Sequence, residues 1–521
     1  MRFLMTALVF CLASTSAFVD AQNGASHHIS RAVVQDKIRG GWAGQMIGVS
    51  YGAPTEFRSN GKIIEGNLNK YLDWAPERLK NSIDQDDLYV EMTFAEVMDK
   101  IGLEATTEQY GEMFKNSKYE LWHANAGARR NLNRGIKAPR SGDPKYNIHA
   151  NDIDFQIESD FIGLMTPGLP REANKYADRV GRVMNWGDGL YGGMFFSGMY
   201  AAAFFESDPR KVVERGLLSI PADSAYAKVI RDVLQWSAEN PKDWTATWKL
   251  MEAKWDKADA CTEGALKPFN IDAKLNGGYV ALGLIYGRGD FAKTLEVATR
   301  SGQDSDCNPS SAAGILGVIL GYDKIPDVWK AGIKGIADTR FSFTQYSFNQ
   351  IVASTEARAL KVVEGAGGKV TGTQIEIPAQ QPQAPALEQW NIDPPVKRVE
   401  FNDPAWTYKG QFSDGSSKSG EVKFKEASAA SAEATFTFEG TGVAIVGRCT
   451  QAGGRADVFL DGQKAGDIDA WIPENTSDDD YWHVTGLAGG KHTVRIVVRA
   501  DSRSKEARIQ LLRAVVYAPT P

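Results

Sequence analysis

The sequence predicts a multi-domain protein in which a large all-α domain is followed by a C-terminal β-sandwich. Apolar residues recur at three- and four-residue spacing through residues 30–364, as in the stretches Leu88 to Ile101 and Ala312 to Leu320, which is the periodicity of helices with a buried face. Beyond residue 395 the period drops to two, in short β-branched runs separated by turn signals, the pattern of a sandwich. The chain has 521 residues, more than the ~100–200 of a common single domain.

The N-terminus carries Arg2 ahead of the apolar run Phe3 to Ala13, then Val19-Asp20-Ala21, which reads as a signal peptide over residues 1–21 with a small-residue cleavage site. The run falls short of the ~20 apolar residues of a spanning helix, and Cys11 lies inside it rather than after it. No lipid anchor or stable membrane insertion is therefore expected, and the mature protein is expected to be secreted or periplasmic. Downstream, Cys261, Cys307 and Cys449 are odd in number and widely spaced, neither a disulfide framework nor a zinc pattern. The formal net charge of −6, without a Lys/Arg stripe, excludes a nucleic-acid surface.

The first helical feature places Gly40, Gly44, Gly48 and Gly52 on one face. Glycine costs helix stability, so four in register predict a backbone packed tightly on a neighbour. Pro54 ends that helix, and Glu56 follows on a loop, where it is either a catalytic carboxylate or a solvated one. The next feature, Asp84-Gln85-Asp86-Asp87-Leu88, precedes an amphipathic helix. One carboxylate there serves as a cap, but several so close repel one another unless a hard cation intervenes. The third, Gly302-Gln303-Asp304-Ser305-Asp306-Cys307-Asn308, opens an apolar small-residue helix. Its acids are either a cap with an exposed Asp or charges at the mouth of a buried helix, where an unpaired charge is costly.

Two polar stretches lie between these features. Ala150 to Asp160 contains Asp152, Asp154, Glu158 and Asp160 without a specific pattern. Asn185-Trp186-Gly187-Asp188-Gly189-Leu190-Tyr191-Gly192 offers an aromatic ring and a carboxylate among glycines, so Asn185, Trp186, Asp188, Tyr191 and Gly192 are candidate substrate contacts, with simple turn geometry as the alternative. His123, beside Trp122, reads as an ordinary satisfied histidine. Residues 365–395 are rich in Pro, Gln and Gly and read as a linker with a short strand from Thr373 to Ile377. In the sandwich, residues 396–521, strands are expected at 434–438, 442–446, 456–460 and 492–498, and exposed Trp471, Tyr481 or Trp482 are candidate carbohydrate contacts.

Taken in order, residues 44–56, Asp-Gln-Asp-Asp-Leu at 84–88 and Gly-Gln-Asp-Ser-Asp-Cys-Asn at 302–308 resemble the ADP-ribosylglycohydrolase family over residues 30–360. The resemblance implies an all-α catalytic domain with one or two divalent ions, Mg²⁺ or Mn²⁺ with Ca²⁺ as a further candidate. It assigns Gln85, Asp86, Asp87, Asp304, Asp306 and Cys307 to the metal positions, and Glu56 and Asp86 to catalysis. The departures are Val49 in place of the family's Asp, and Gln85, Leu88 and Cys307 in place of the threonines flanking its aspartates, a thiol being a poor partner for a hard cation. The sandwich resembles galactose-binding-like modules of secreted glycan-degrading enzymes. The implied activity is a metal-dependent glycosidic-bond hydrolase acting on a carbohydrate or an ADP-ribose-like small substrate. An ADP-ribosyl or nucleoside-type N-glycoside hydrolase and an inactive glycan-binding protein remain alternatives, and the pattern leaves the oligomeric state open.

Overall fold

A computed structural model describes residues 26–519 apart from 68, 69, 71, 257, 258, 474, 475 and 477. The expected signal peptide lies outside the described residues.

The helical domain is organised by helix α1 (Arg31–Gly52). It runs against a second apolar helix, Cys307–Leu320, and the glycine face is the reason the two can touch. A Cβ on Gly40, Gly44, Gly48 or Gly52 would lie 2.0–2.2 Å from a backbone carbonyl oxygen of Gly317, Ala313, Pro309 or Ser305 respectively. The predicted close approach is thus a backbone-to-backbone seam, and it delivers the C-terminal end of α1 to the loop carrying Asp304 and Asp306. Pro54 ends the helix as expected, within a short 3₁₀ turn (Ala53–Thr55).

In chain order the elements that build the site are then α2 (Asp86–Lys100), α3 (His123–Asn133), α4 (Asp154–Ile157), α5 (Gly187–Ala203), α6 (Ala273–Gly287) and α7 (Cys307–Leu320). Helices α5, α6 and α7 are apolar on nearly every side because neighbours surround them, consistent with helices inside a large core.

Two segments behave differently from the sequence expectation. Ser26–Ser30 is a strand, β1, rather than a lead-in to the helix. It pairs antiparallel with β3 (Gln374–Pro378), which also pairs with β2 (Lys369–Thr371). Ile375 and Ile377 enter the core of the helical domain, so the early part of the expected linker belongs to that domain. A single isolated strand had no partner in the sequence pattern; the partner is more than three hundred residues away.

The C-terminal unit is a two-sheet sandwich. One five-stranded sheet runs in the order Gln463–Asp469, Arg455–Leu460, Gly490–Val498, Glu433–Gly440 and Trp406–Lys409. A six-stranded sheet faces it, centred on Gly442–Gly447 and Ile509–Tyr517. Their inner faces bury Phe436, Val458, Ile496, Ile445 and Leu511. Tyr481, expected to be exposed, is 2% accessible and donates its hydroxyl to the Arg448 carbonyl; it is a core residue, placed by a strand whose alternation a bulge interrupts between Asp480 and Trp482.

The sandwich sits on the helical domain through a buried polar seam. Arg130 of α3 pairs with Asp479 and, at 3.1 Å, with Asp480. Asp480 also accepts from His149 Nε2 at 3.1 Å, and the Tyr517 hydroxyl donates to the Ala260 carbonyl at 2.8 Å. Removing one member of such a buried pair strands the other charge.

Candidate active site

The loop carrying the second aspartate cluster is fixed before any ligand is considered. Gly302 (φ 84°) and Gln303 (φ 54°) adopt left-handed backbone, a region that favours glycine, and a Cβ on Gly302 would meet the Ser59 carbonyl at 2.3 Å. The Gln303 carbonyl accepts from the Phe57 amide at 3.0 Å, and Gln303 N donates to Ser59 O at 3.2 Å. Thr55 and Ser305 share a hydroxyl hydrogen bond of 2.8 Å. These contacts lock the Glu56 loop onto the Asp304–Asp306 loop, two segments about 250 residues apart in sequence.

Asp86 and Asp87 begin α2, but neither caps it: the N-cap is Gln85, with no side-chain cap bond. Asp306 likewise precedes α7 without capping it. Neither cluster therefore supplies an N-cap side-chain bond, although Asp86 Oδ1 accepts the adjacent Asp87 amide at 3.1 Å. Asp87, Asp304 and Asp306 are 1–3% accessible, while Asp86 is half-buried and Glu56 remains exposed at the mouth. Ligand atoms of Asp86, Asp87 and Cys307 lie within 4.8 Å of one another, as do those of Asp304, Asp306 and Cys307. Cys307 is the shared member, joining both predicted pairs into one cluster.

The electrostatics of this cluster are those of buried acids crowded together. Burial, then the charge of Glu56, pushes Asp304 up to about 8. Burial and the neighbouring aspartates raise Asp87 and Asp306 well above the usual carboxylate range. Glu56 is pushed up to about 8 by the pocket walls and then by the charges of Asp306 and Asp86. One oxygen each of Asp87, Asp304 and Asp306 is buried without a hydrogen-bond partner, which is costly unless something accepts those lone pairs. A hard dication fits, since it takes carboxylate oxygens.

Cys307 and Gln85, which depart from the family pattern at its metal-binding threonines, are placed differently. The Cys307 thiol donates to Asp87 Oδ2 at 3.3 Å, and burial with four neighbouring carboxylates holds it protonated, so it supports Asp87 as a donor. Gln85 lines the pocket rim and gives its amide N–H to Asn81 at 3.0 Å.

The pocket above the cluster has a volume of about 420 Å³. Phe57, Tyr89, Trp122 and Phe269 supply ring surface, and His123, Asn125 and Asp154 supply polar groups. Asp154 accepts the Ala124 and Asn125 amides at 3.1 and 3.0 Å, capping α3 from another helix. Behind the cluster Glu158, Glu91 and Asp160 continue the buried acidic layer. The only sequence sign of this layer was carboxylates in otherwise apolar stretches.

Asn185, Trp186, Asp188, Tyr191 and Gly192 do not reach this pocket. Asn185 is fully buried and bonds Ala150 O, Asp152 O and the Phe155 amide. Asp188 accepts from the Tyr226 amide at 3.1 Å, and the Tyr191 hydroxyl accepts from the Glu388 amide at 2.7 Å. A Cβ on Gly192 would meet Gln156 Oε1 at 2.6 Å. Trp186 stacks under Arg182 and lines a separate groove between the two domains. The glycines there serve close packing of the helix Gly187–Ala203, neither the sugar contact nor the simple turn that the sequence suggested.

Comparison with known proteins concerns the family and the two domains. The sandwich, over residues 419–516, matches the carbohydrate esterase 2 N-terminal family. A curated relative, the A type blood N-acetyl-alpha-D-galactosamine deacetylase of Flavonifractor plautii, is 33% identical over 141 residues, 26% of this chain and 17% of the relative; the chain thus spans under a fifth of that relative's length. Among solved structures, an ADP-ribosylglycohydrolase-related protein complex aligns with 63% of this chain and 98% of its own at 17% identity and a TM-score of 0.43. A family two carbohydrate esterase from Clostridium thermocellum, in complex with cellohexaose, aligns with 22% of this chain and 34% of its own at 19% identity and a TM-score of 0.17. The ADP-ribosylglycohydrolase family matches residues 30–359, which hold Glu56, both aspartate pairs and the glycine-spaced helix; by that match, over more than half of its length, the chain belongs to the hydrolytic ADP-ribosylglycohydrolase family.

Proposed function

We propose that the chain is an exported, divalent-metal-dependent hydrolase of glycosidic bonds whose substrate is a neutral sugar. The observation that carries this reading is the lining of the carboxylate pocket: six acids, four aromatic rings and no Lys or Arg among its described residues. A diphosphate would meet Glu56, Asp86 and Asp304 with no guanidinium or ammonium to receive it, whereas a sugar ring gains from the aromatic faces.

Asp86, Asp87, Asp304 and Asp306 would hold the metal, whose chemistry is to bind vicinal hydroxyls and lower the pKa of water. The remaining work falls to residues of the chain. Glu56, exposed at the mouth and protonated through neutrality in the metal-free protein, is placed to pass a proton to a leaving oxygen and to recover it. Tyr89 and Phe269 wall the pocket against water, and Asn125 supplies hydrogen bonds to hydroxyls. The sandwich, by its match to a carbohydrate esterase module, supports a glycan-rich setting.

Release of ADP-ribosyl groups is the second reading, favoured by the family itself, and catalytically inactive glycan binding the third. Neutral aryl glycosides, including furanosides, and ADP-ribosylated peptides assayed with and without EDTA separate the three. Our reading expects EDTA-sensitive release of sugar, restored by Mg²⁺ or Mn²⁺. Release of ADP-ribose alone would replace it with the second reading, and EDTA-insensitive glycan binding without turnover would refute both hydrolytic readings.

A further inference from the structure

A second group of metal-type donors lies outside the acidic cluster. His123 opens α3, His149 and Asp152 sit on the turn before α4, and Cys261 comes from the segment preceding α6. One ligand atom from each lies within 4.8 Å of the other three. Cys261 is fully buried, Asp152 is 2% and His149 6% accessible. Unlike the aspartates, these donors are two imidazoles, a thiol and one carboxylate, a soft and borderline set suited to zinc-class ions rather than Mg²⁺.

The surroundings are those of oriented ligands. His149 Nε2 lies 3.1 Å from Asp480 Oδ1 of the sandwich, while its Nδ1 faces Asp152 Oδ2 at 2.7 Å. His123 Nδ1 lies 3.1 Å from Glu263 Oε2. His149 thus has one ring nitrogen hydrogen-bonded to a carboxylate outside the four, the arrangement that fixes tautomer and ring orientation in metal-binding histidines, while His123 has the Glu263 carboxylate within ion-pair distance. His123 also holds a left-handed backbone (φ 46°), a conformation that costs free energy in a residue with a Cβ and persists where its surroundings enforce it. With neutral imidazoles, a thiolate and a carboxylate supply two negative charges, matching one dication.

We propose that His123, His149, Asp152 and Cys261 form a four-donor, zinc-class structural site that ties the sandwich to the catalytic domain through Asp480. Four protein donors close a tetrahedral shell, as in structural rather than catalytic zinc sites. Binding takes the proton from the Cys261 thiol, and any second proton from the His123 and His149 rings, forms the metal–sulfur bond and releases those protons to solvent. The site joins α3, the turn before α4 and the Cys261 segment, the three surfaces on which the sandwich rests. It stands independently of the proposed hydrolysis.

The test uses the full chain, stripped and reloaded with Zn²⁺ or Co²⁺ alone. The expected result is about one equivalent of tightly held zinc, with X-ray absorption showing one sulfur at ~2.3 Å among N/O donors at ~2.0–2.1 Å, and a thiolate-to-cobalt charge-transfer band in the Co²⁺ form. Cys261→Ser should abolish the band and the zinc, and Asp480→Asn should weaken binding by roughly 10–100-fold. Asp304→Ala should leave the zinc in place while turnover is lost, which separates this site from the acidic one. A wild-type zinc shell without sulfur, no retained zinc on reloading, or equal zinc in wild type and Cys261→Ser would overturn the proposal; the absorption measurement needs no variant and so decides even if a substitution prevents folding.

Discussion

Replacing Gly52 by alanine tests whether the glycine seam sets the geometry of the active site. Gly52 has φ −81° and ψ −32°, a conformation any residue adopts, so only close approach requires glycine there. A Cβ would lie 2.0 Å from Ser305 O and 2.5 Å from the Asp306 Cα. Real Cβ contacts stop near 3.0 Å, so the two backbones must part by about 1 Å, the difference 3.0 − 2.0. The clash should cost about 1–3 kcal/mol, offset by up to ~1 kcal/mol of helix propensity, a net loss of about 0–3 kcal/mol. The displaced atoms belong to the loop between Asp304 and Asp306, where a misplacement of ~1 Å can cost ~100-fold in rate. Gly40→Ala is the control: its Cβ would meet Gly317 O at 2.2 Å, a comparable clash about 18 Å along the helix. Thermal unfolding and Mn²⁺ titration of both variants decide the matter. Similar stability losses with a selective collapse of metal affinity and turnover in Gly52→Ala are expected. Equal effects of the two variants on metal affinity, or unchanged metal affinity and turnover in Gly52→Ala, would show that the seam does not set the site.

Three further outcomes follow from the same structure. Asp87, Asp304 and Asp306 have raised pKa values when metal-free, so between about pH 4, where unfolded carboxylates ionise, and pH 8 the folded chain holds protons the unfolded chain has lost. The stability of the metal-free protein should therefore fall as pH rises through that window, while Mg²⁺ or Mn²⁺ at ~100 times its Kd should restore about 2.7 kcal/mol; a stability that rises with pH in EDTA would contradict the assignment. Glu56→Gln should lower kcat by roughly 10²–10⁴-fold with metal affinity retained in titration, and unchanged kcat would remove Glu56 from the chemistry. Arg130→Met should cost about 3–5 kcal/mol by stranding Asp479 and Asp480, read by chemical denaturation; a loss under ~1 kcal/mol would mean the seam contributes little to docking.

Much of the site was legible because its parts are local patterns. Glycines four residues apart announce a helix seam whatever lies opposite, and adjacent aspartates at helix starts exceed what capping needs. What escaped the sequence depends on three-dimensional convergence. His123, His149, Asp152 and Cys261 come from three segments with no motif spacing, and counting cysteines alone pointed away from them. The strand pairing of Ser26–Ser30 with Gln374–Pro378 is invisible to any window. Conversely, the Trp-and-glycine stretch around Asp188 looked like a sugar site because stacking surfaces and tight helix packing use the same residue types; Asn185 and Asp188 are spent on backbone hydrogen bonds instead.

Anomalous diffraction from crystals of the full chain grown with Mn²⁺ tests the central claim most directly. The account predicts one or two strong manganese peaks within coordination distance of Asp86, Asp87, Asp304 and Asp306, absent in Asp304→Ala crystals. Saturating Mn²⁺ with no peak among those carboxylates, or a peak unaffected by the substitution, would contradict it.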